Sequence, residues 1–316
     1  MYFEFVIFFL LLATGYCCKR FGIFGDAAIN NINRFIILIA YPALILVRTS
    51  SLDMTHRIFL NFLLMIALSV ALLLVYAGYA YVYAKKRRFP SEEAPAAELA
   101  MICPNNGFMG FPIADTFFGD MGLLYMVASN VALNTFFFTY GVTALMRGRG
   151  EAGEPFLRKL KNIALLVVNP KVSAAIVGIV FCVNHIVIPD FLEQFLQQVG
   201  NCATPLAMIS IGTIIAGGFG AASLKNSVLV EAVIGKVLII PLFTFAIVWF
   251  LPIDPMVKLI LIVASTLPTA TTIPILGEQY RRGKELAGTI LVVSTLISMG
   301  TIPLGIWLLG LTGLPG

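Results

Sequence analysis

The chain alternates between long apolar runs and short polar connections along almost its whole length. Ten apolar runs come close to the roughly 20 residues that a helix needs to cross a bilayer. They cover residues 2–18, 32–50, 58–84, 94–118, 122–146, 170–188, 191–217, 226–251, 255–277 and 286–311. This pattern predicts an all-α integral membrane protein with ten transmembrane helices, numbered here as spans one to ten.

Composition indicates that lipid is the solvent of this chain. Of its 316 residues, 59% are hydrophobic and only 12% are charged, about half the charged fraction of a soluble domain. The net charge of +5 does not predict a nucleic-acid partner, because the basic residues occur in short bursts between apolar runs. The five cysteines lack metal-ligand spacing, so we expect neither a metal nor a cofactor.

The basic residues also orient the predicted spans. With ten spans, most of the 21 lysines and arginines fall on one side of the membrane. The other side has only Arg48, Arg57 and Lys258, and Lys236 lies within span eight. By the positive-inside rule, we expect a multi-pass protein of the cell (inner) membrane with both termini on the extracellular or periplasmic side.

Prolines within the spans reveal an internal repeat. Pro42 in span two and Pro205 in span seven lie 163 residues apart, and Pro104 in span four and Pro268 in span nine lie 164 apart. The same offset places span one on span six and span five on span ten. Because each half has five spans, an odd number, the second half enters the membrane inverted. Inverted repeats with broken helices at the midplane are a recurring plan of secondary transporters.

The repeat divides the chain into three parts. Residues 1–146 form the first five-helix repeat, 147–169 a cytoplasmic linker with an amphipathic helix, and 170–316 the second, inverted repeat. The linker helix is either an anchor to anionic headgroups or a solvated connection between the halves.

The two breaks at Pro104 and Pro268 are the candidate functional centre. Proline interrupts a helix, and a break at membrane depth is tolerated where it is buried in protein or lines a cavity. A half-helix that starts after each proline points free N–H groups and its positive end into the site, which favours an anion. The predicted substrate-binding residues at the breaks are Pro104, Asn105, Asn106, Gly107, Pro268, Thr269 and Thr271.

Two further polar residues join this predicted site. Lys236 lies about ten residues into span eight, where an isolated charge costs about 2.5–3.5 kcal/mol. It is interpreted as a substrate counter-charge or a proton-coupling group, and a structural pair between helices is the alternative. Asn134 shares a face of span five with Asn130, where the two side chains line the cavity or hydrogen-bond between helices.

Three motifs resemble the auxin efflux carrier family. They are Pro-Ala-Leu-Ile from Pro42, Pro-Asn-Asn-Gly-Phe-Met-Gly-Phe-Pro from Pro104 and Pro-Thr-Ala-Thr-Thr from Pro268. The resemblance implies a scaffold domain of spans one, two, six and seven, and a transport domain of spans three to five and eight to ten. It also implies a homodimer, with substrate bound where helices 4 and 9 cross. The short connection between halves, and threonine at Thr269 where the plant proteins have asparagine, favour an acid other than auxin.

The expected function is a secondary transporter, an exporter, of small organic anions such as carboxylates by elevator-type alternating access. The coupling ion, proton or sodium, stays open at this stage. An enzyme is not expected, because His56 and His185 are isolated and no H-E-x-x-H motif or nucleophile elbow is present. An anion channel and a membrane-embedded sensor are the alternatives.

Overall fold

The computed structural model describes residues 2–147, 169–218 and 226–310, and these residues are almost entirely helical. The predicted linker helix of 147–169 therefore lies almost wholly outside the described residues. The helices of the described residues are α1 Tyr2–Arg20, α2 Asp26–Ser50, α3 His56–Arg87, α4 Ala94–Ile102, α5 Asn106–Leu145, α6 Pro170–Val183, α7 Asp190–Ala216, α8 Ser227–Val248, α9 Pro255–Thr266, α10 Thr272–Gln279 and α11 Lys284–Gly310. The predicted all-helical fold class is confirmed.

Six of these helices, α2, α3, α5, α7, α8 and α11, are long and apolar enough to cross a membrane. The apolar helices α6 and α9 are shorter. Large apolar side chains such as Leu10, Leu63 and Leu242 stand on the outer surface of the protein, each about half exposed or more. Such surfaces suit lipid, since a water-facing protein rarely exposes apolar patches on this scale. The chain is a multi-pass membrane protein.

Local sequence signals explain where several helices begin. The side chains of Asn169, Asn226 and Asp254 each accept a hydrogen bond from the backbone two residues later, at the first turns of α6, α8 and α9. These are the side chains favoured as N-caps, because they satisfy the free N–H groups there. Within α5, Gly119 adopts φ 59° and ψ −155°, a conformation open mainly to glycine. It divides α5 into arms 106–118 and 120–145.

The described helices pack as two groups. α1 packs along the second part of α7, and the second part of α2 packs along α6. These four helices form what we call the four-helix group. α3, α4, α5, α8, α9, α10 and α11 contact one another extensively and form the seven-helix group.

Glycines allow the helices of the four-helix group to cross closely, and two of them occupy equivalent positions of the repeat. A Cβ at Gly15 in α1 would clash with the carbonyl oxygen of Ile209 in α7. A Cβ at Gly178 in α6 would lie 3.2 Å from the carbonyl oxygen of Leu46 and 2.7 Å from the Cβ of Thr49 in α2. Gly15 and Gly178 lie 163 residues apart, as do Leu46 and Ile209. The two crossings therefore join equivalent residues of the two repeats. In one crossing the glycine comes from the first repeat, and in the other it comes from the second.

The two groups meet through aromatic side chains and one ion-pair cluster. Phe5 of α1 stacks on Phe117 of α5 with 4.4 Å between ring centroids, and Tyr41 of α2 meets Phe111 of α5 edge-on at 5.0 Å. Arg48 of α2 lies 3.2 Å from Asp115 and 3.3 Å from Asp120. Among the described residues, few hydrogen bonds or ion pairs join the two groups.

Candidate functional site

Two helix breaks cross at the centre of the seven-helix group. The first separates α4 from α5 at residues 103–105, and the second separates α9 from α10 at 267–271. They run antiparallel and form a single β-bridge between Pro104 and Thr269. The Asn105 N–H donates to the Pro268 carbonyl at 2.8 Å, and the Ala270 N–H donates to the Cys103 carbonyl at 3.0 Å. The bridge satisfies backbone groups that the prolines free, as required inside a membrane.

The first break leaves backbone donors open. The Asn105 side chain accepts a hydrogen bond from the Phe108 N–H at 3.3 Å, and the Asn105 carbonyl accepts from Met109 and Gly110. Within the described ranges, the N–H groups of Asn106 and Gly107 have no hydrogen-bond partner. The start of α5 therefore presents two free donors and the positive end of a helix, the combination that binds anions.

The Asn106 side chain is buried and only half satisfied. It is 1% exposed, and its Nδ2 donates to the Ser129 hydroxyl at 3.1 Å. Its Oδ1 has no hydrogen-bond partner among the described residues. Leaving a buried polar atom unpaired costs about 1–3 kcal/mol. Whichever way the amide is turned, one of its two polar atoms is left for a molecule that enters the site.

At the second break, the polar groups of Thr269 are bonded within the protein, whereas the N–H groups of Thr271 and Thr272 have no hydrogen-bond partner among the described residues. Thr269 is fully buried, and its hydroxyl donates to the Ala100 carbonyl at 2.7 Å. Its N–H donates to the Ser294 hydroxyl at 3.1 Å. Thr271 precedes α10 without forming a side-chain cap. Thr269 therefore ties the second break to α4 and α11, and its polar groups are already occupied.

A small cavity adjoins the crossing. Its volume is about 30 Å³, enough for about two water molecules and too small for an organic acid. Polar lining comes from Asn106, Tyr76 and three serines, and the rest is apolar. The lining residues are Ser69, Leu72, Leu73, Tyr76, Ile102, Pro104, Asn106, Ser129, Leu133, Leu261, Ala264 and Ser265. A larger cavity of about 480 Å³ lies away from the breaks, around the ends of α2 and α6.

Lys236 contacts the end of α9. It is fully buried within a π-helical turn at Gly235–Ile239 of α8, and its Nζ donates to the Ser265 carbonyl at 3.4 Å. In the part of the chain that the structure describes, no carboxylate pairs with it. Glu231 instead pairs with Arg87 at 2.6 Å. The ammonium therefore sits at the negative end of the half-helix α9, beside the second break.

Asn134 hydrogen-bonds within its own helix. Its Nδ2 donates to Asn130 Oδ1 at 3.1 Å, so the pair bonds along α5 itself. Neither residue is among those that line the small cavity.

Sequence patterns alone did not single out three residues around the breaks. Ser129 and Ser294 hold the first and the second break, respectively, and lie 165 residues apart. The repeat offset could have revealed this pair. Lys171 is one of the many basic residues that orient the predicted spans, but it is buried. Its Nζ lies 5.3 Å from the centroid of the Phe111 ring and 3.5 Å from where a Cβ at Gly107 would stand.

A sequence model of a family described as membrane transport protein matches residues 2–306. The chain belongs to this family. Its resemblance to the auxin efflux carrier family is thereby confirmed. Members of this family are transporters, so the chain is a membrane transporter and not an enzyme.

Relatives with similar lengths support this assignment. A protein of Methanothermobacter thermautotrophicus named "Uncharacterized transporter" is 24% identical over 297 residues, covering 93% of this chain and 94% of the relative. A second archaeal transporter, from Methanocaldococcus jannaschii, is 26% identical over 96% of this chain and 97% of its own length. A Rhizobium meliloti protein named "Putative malonate transporter" is 24% identical, covering 93% of this chain and 91% of that protein.

Proposed function

We propose that this transporter carries small organic anions, with carboxylates as the substrate class, and binds them at the first helix break. The observation that carries the proposal is the pair of free N–H groups on Asn106 and Gly107 at the start of α5. Two backbone donors and a helix dipole complement a carboxylate. The proposed substrate-binding residues are Pro104, Asn105, Asn106, Gly107 and Lys236. Pro268, Thr269 and Thr271 form the second break beside them, and a role for Asn134 stays a prediction.

The proposed architecture is ten spans in two inverted repeats. Gly119 separates spans four and five, and the breaks at Pro104 and Pro268 interrupt spans four and nine. The exchanged glycine crossings at Gly15 and Gly178 support the repeat, because an inverted pair of equal units makes the same contact twice. A local twofold relation also runs through the bridge between Pro104 and Thr269.

The proposed mechanism is an elevator. The four-helix group corresponds to the scaffold domain expected from spans one, two, six and seven, and the seven-helix group corresponds to the transport domain. Both breaks lie in the seven-helix group, so a bound anion would travel with it. The cavity of about 30 Å³ is too small for an organic acid. The site must therefore widen as the groups move, and a continuously open pore is disfavoured.

The remaining parts of the proposal rest on the family and the charge pattern. We place the protein in the cell membrane with both termini outside, acting as an exporter and a homodimer. Exposed Phe191 and Phe195 on α7 offer an apolar surface for a second copy or for lipid. Proton and sodium gradients are both open as the driving force, and the experiment below separates them.

The test is transport by purified protein in liposomes. Labelled malonate, malate, succinate and indole-3-acetate are offered with and without proton, sodium or voltage gradients. We expect saturable uptake of at least one dicarboxylate, and faster uptake when the same acid is preloaded inside. Malonate comes first because a relative carries that name. Protein-free liposomes and Asn184→Ala, a change at an exposed asparagine at the end of α6, are the controls.

The alternatives predict other results. Currents far above carrier rates without saturation would indicate a channel. Binding of an acid without flux, in protein shown to be folded and inserted, would indicate a sensor. Either result would overturn the carrier proposal.

A further inference from the structure

Lys171 approaches the first break from the opposite helix group. It is the second residue of α6, in the four-helix group, whereas the break belongs to the seven-helix group. Lys171 is buried, with only 9% of its surface exposed. Its Nζ lies beside Gly107, 3.5 Å from the position of a Cβ there. An alanine in place of Gly107 would put a methyl group against the ammonium.

The ammonium lacks an acidic partner. Across residues 2–147, 169–218 and 226–310, no carboxylate forms an ion pair with Lys171, and its side chain makes no hydrogen bond. The Phe111 ring, with its centroid 5.3 Å from the ammonium, compensates a buried cation only partly. Burying a charge without a counter-charge is unfavourable.

The position of Lys171 increases the excess of positive charge at the first break. The start of α5 has about half a positive charge from its aligned peptide dipoles, and Lys171 adds a full positive charge beside it. Two positive ends at one point repel each other unless an anion lies between them. The free N–H groups of Asn106 and Gly107 are directed from the same helix end. A ligand with more than one negative charge neutralises this arrangement best.

We propose that Lys171 is a substrate-binding residue that selects dicarboxylates over monocarboxylates. The inference rests on the proposed function and specifies its substrate class. One carboxylate binds the N–H groups at the start of α5, and the second pairs with the Lys171 ammonium. Because Lys171 belongs to the four-helix group, the contact is made only while the break faces α6. The substrate thereby links the two groups in this conformation.

The experiment measures how strongly the protein prefers an acid to its half-amide. Malonamate and succinamate keep the carbon skeletons of malonate and succinate but have one carboxylate instead of two. Affinities of all four compounds are measured on purified protein by calorimetry or thermal shift. We expect wild type to bind the diacid at least about tenfold more tightly than the half-amide, as a buried charge pair implies.

Lys171→Gln should remove that preference. We expect diacid affinity to fall to within about threefold of half-amide affinity, while half-amide affinity stays unchanged. The matched control is Lys258→Gln, because Lys258 also lies in the first turn of a proline-initiated helix, with its Nζ 5.8 Å from the Trp249 ring. Lys171→Met, which keeps the apolar stem, replaces Lys171→Gln if that variant does not purify as folded protein.

The outcomes separate the two proposals. An unchanged preference in a folded Lys171 variant, or equal loss of diacid and half-amide binding, overturns the role of Lys171 only. Diacid preference in wild type without flux overturns the carrier proposal only. If wild type binds neither diacid and transports none of the four acids, both proposals are wrong.

Discussion

The two helix breaks come from equivalent positions in the sequence, but their chemistry differs. At the first break, the N–H groups of Asn106 and Gly107 and the Oδ1 of Asn106 have no partner among the described residues. At the second break, both the hydroxyl and the N–H of Thr269 are bonded within the protein. The two breaks therefore differ at the polar residues just after their prolines. The Asn106 side chain is left for a ligand, whereas Thr269 holds the crossing together, although the N–H groups of Thr271 and Thr272 at the start of α10 also lack a partner among the described residues.

The largest expected effect is a loss of uptake when the first break is mutated, compared with a loss of stability when the second break is mutated. Asn106→Ala removes the half-satisfied amide, so we expect dicarboxylate uptake to fall about 10–100-fold with little change in melting temperature. Thr269→Val removes a satisfied hydroxyl and leaves the Ala100 carbonyl unpaired. We expect it to lower the free energy of unfolding by about 1–3 kcal/mol while uptake per folded protein changes less than about threefold. Initial uptake rates and thermal melts measure both; the opposite pattern would reverse the assignment of the two breaks.

The next effect concerns the cation beside the second break. Lys236→Met keeps the length of the side chain but removes the ammonium from the end of α9. We expect uptake to fall about tenfold, because the positive potential near the crossing drops and the Ser265 carbonyl loses its donor. Lys258→Met is the control in the same uptake assay. Wild-type uptake by folded Lys236→Met would assign this lysine a purely structural role.

A smaller effect should distinguish the serines that hold the breaks. Ser129→Ala frees the Nδ2 of Asn106, so we expect substrate affinity to weaken about 3–10-fold. Ser294→Ala frees the N–H of Thr269, so we expect a loss of about 1–2 kcal/mol in stability and unchanged affinity. Binding titrations and melts on both variants provide the comparison. Equal effects of the two variants on affinity would contradict the assignment of substrate binding to the first break and of stability to the second.

The smallest effect tests the link between the first break and the four-helix group. Arg48 pairs with Asp115 in arm 106–118 and with Asp120, and it is 41% exposed at its side chain. Such pairs contribute at most about 1 kcal/mol. Arg48→Gln should therefore let the groups separate more easily and raise turnover by up to about fivefold, most clearly at low salt. Slower turnover in this variant would show that the pair does not restrain the motion.

Hydropathy and the prolines within the spans predicted the helical fold class and the two breaks. The apolar runs correspond to the described helices, and the predicted boundary between 118 and 122 falls where Gly119 turns the chain. The prolines located both breaks, because proline disrupts a helix wherever it stands inside one. These features depend on neighbouring residues only, so a pattern along the chain is sufficient to find them.

The division between the two breaks depended on distant contacts. Thr269 and Asn106 are both polar residues just after a proline, and only their partners tell them apart. Those partners, Ala100, Ser129 and Ser294, lie between 23 and 169 residues away. Lys171 likewise looked like one more orienting charge, since nothing in its local sequence shows that α6 brings it to Gly107. Packing between groups determines these contacts.

The most direct test of the central claim is a cryo-electron microscopy map of the protein with the transported acid bound. The account predicts density for the acid within hydrogen-bond distance of the N–H groups of Asn106 and Gly107, with the small cavity widened. Density confined to the second break around Thr269, or to the cavity between the ends of α2 and α6, would contradict it.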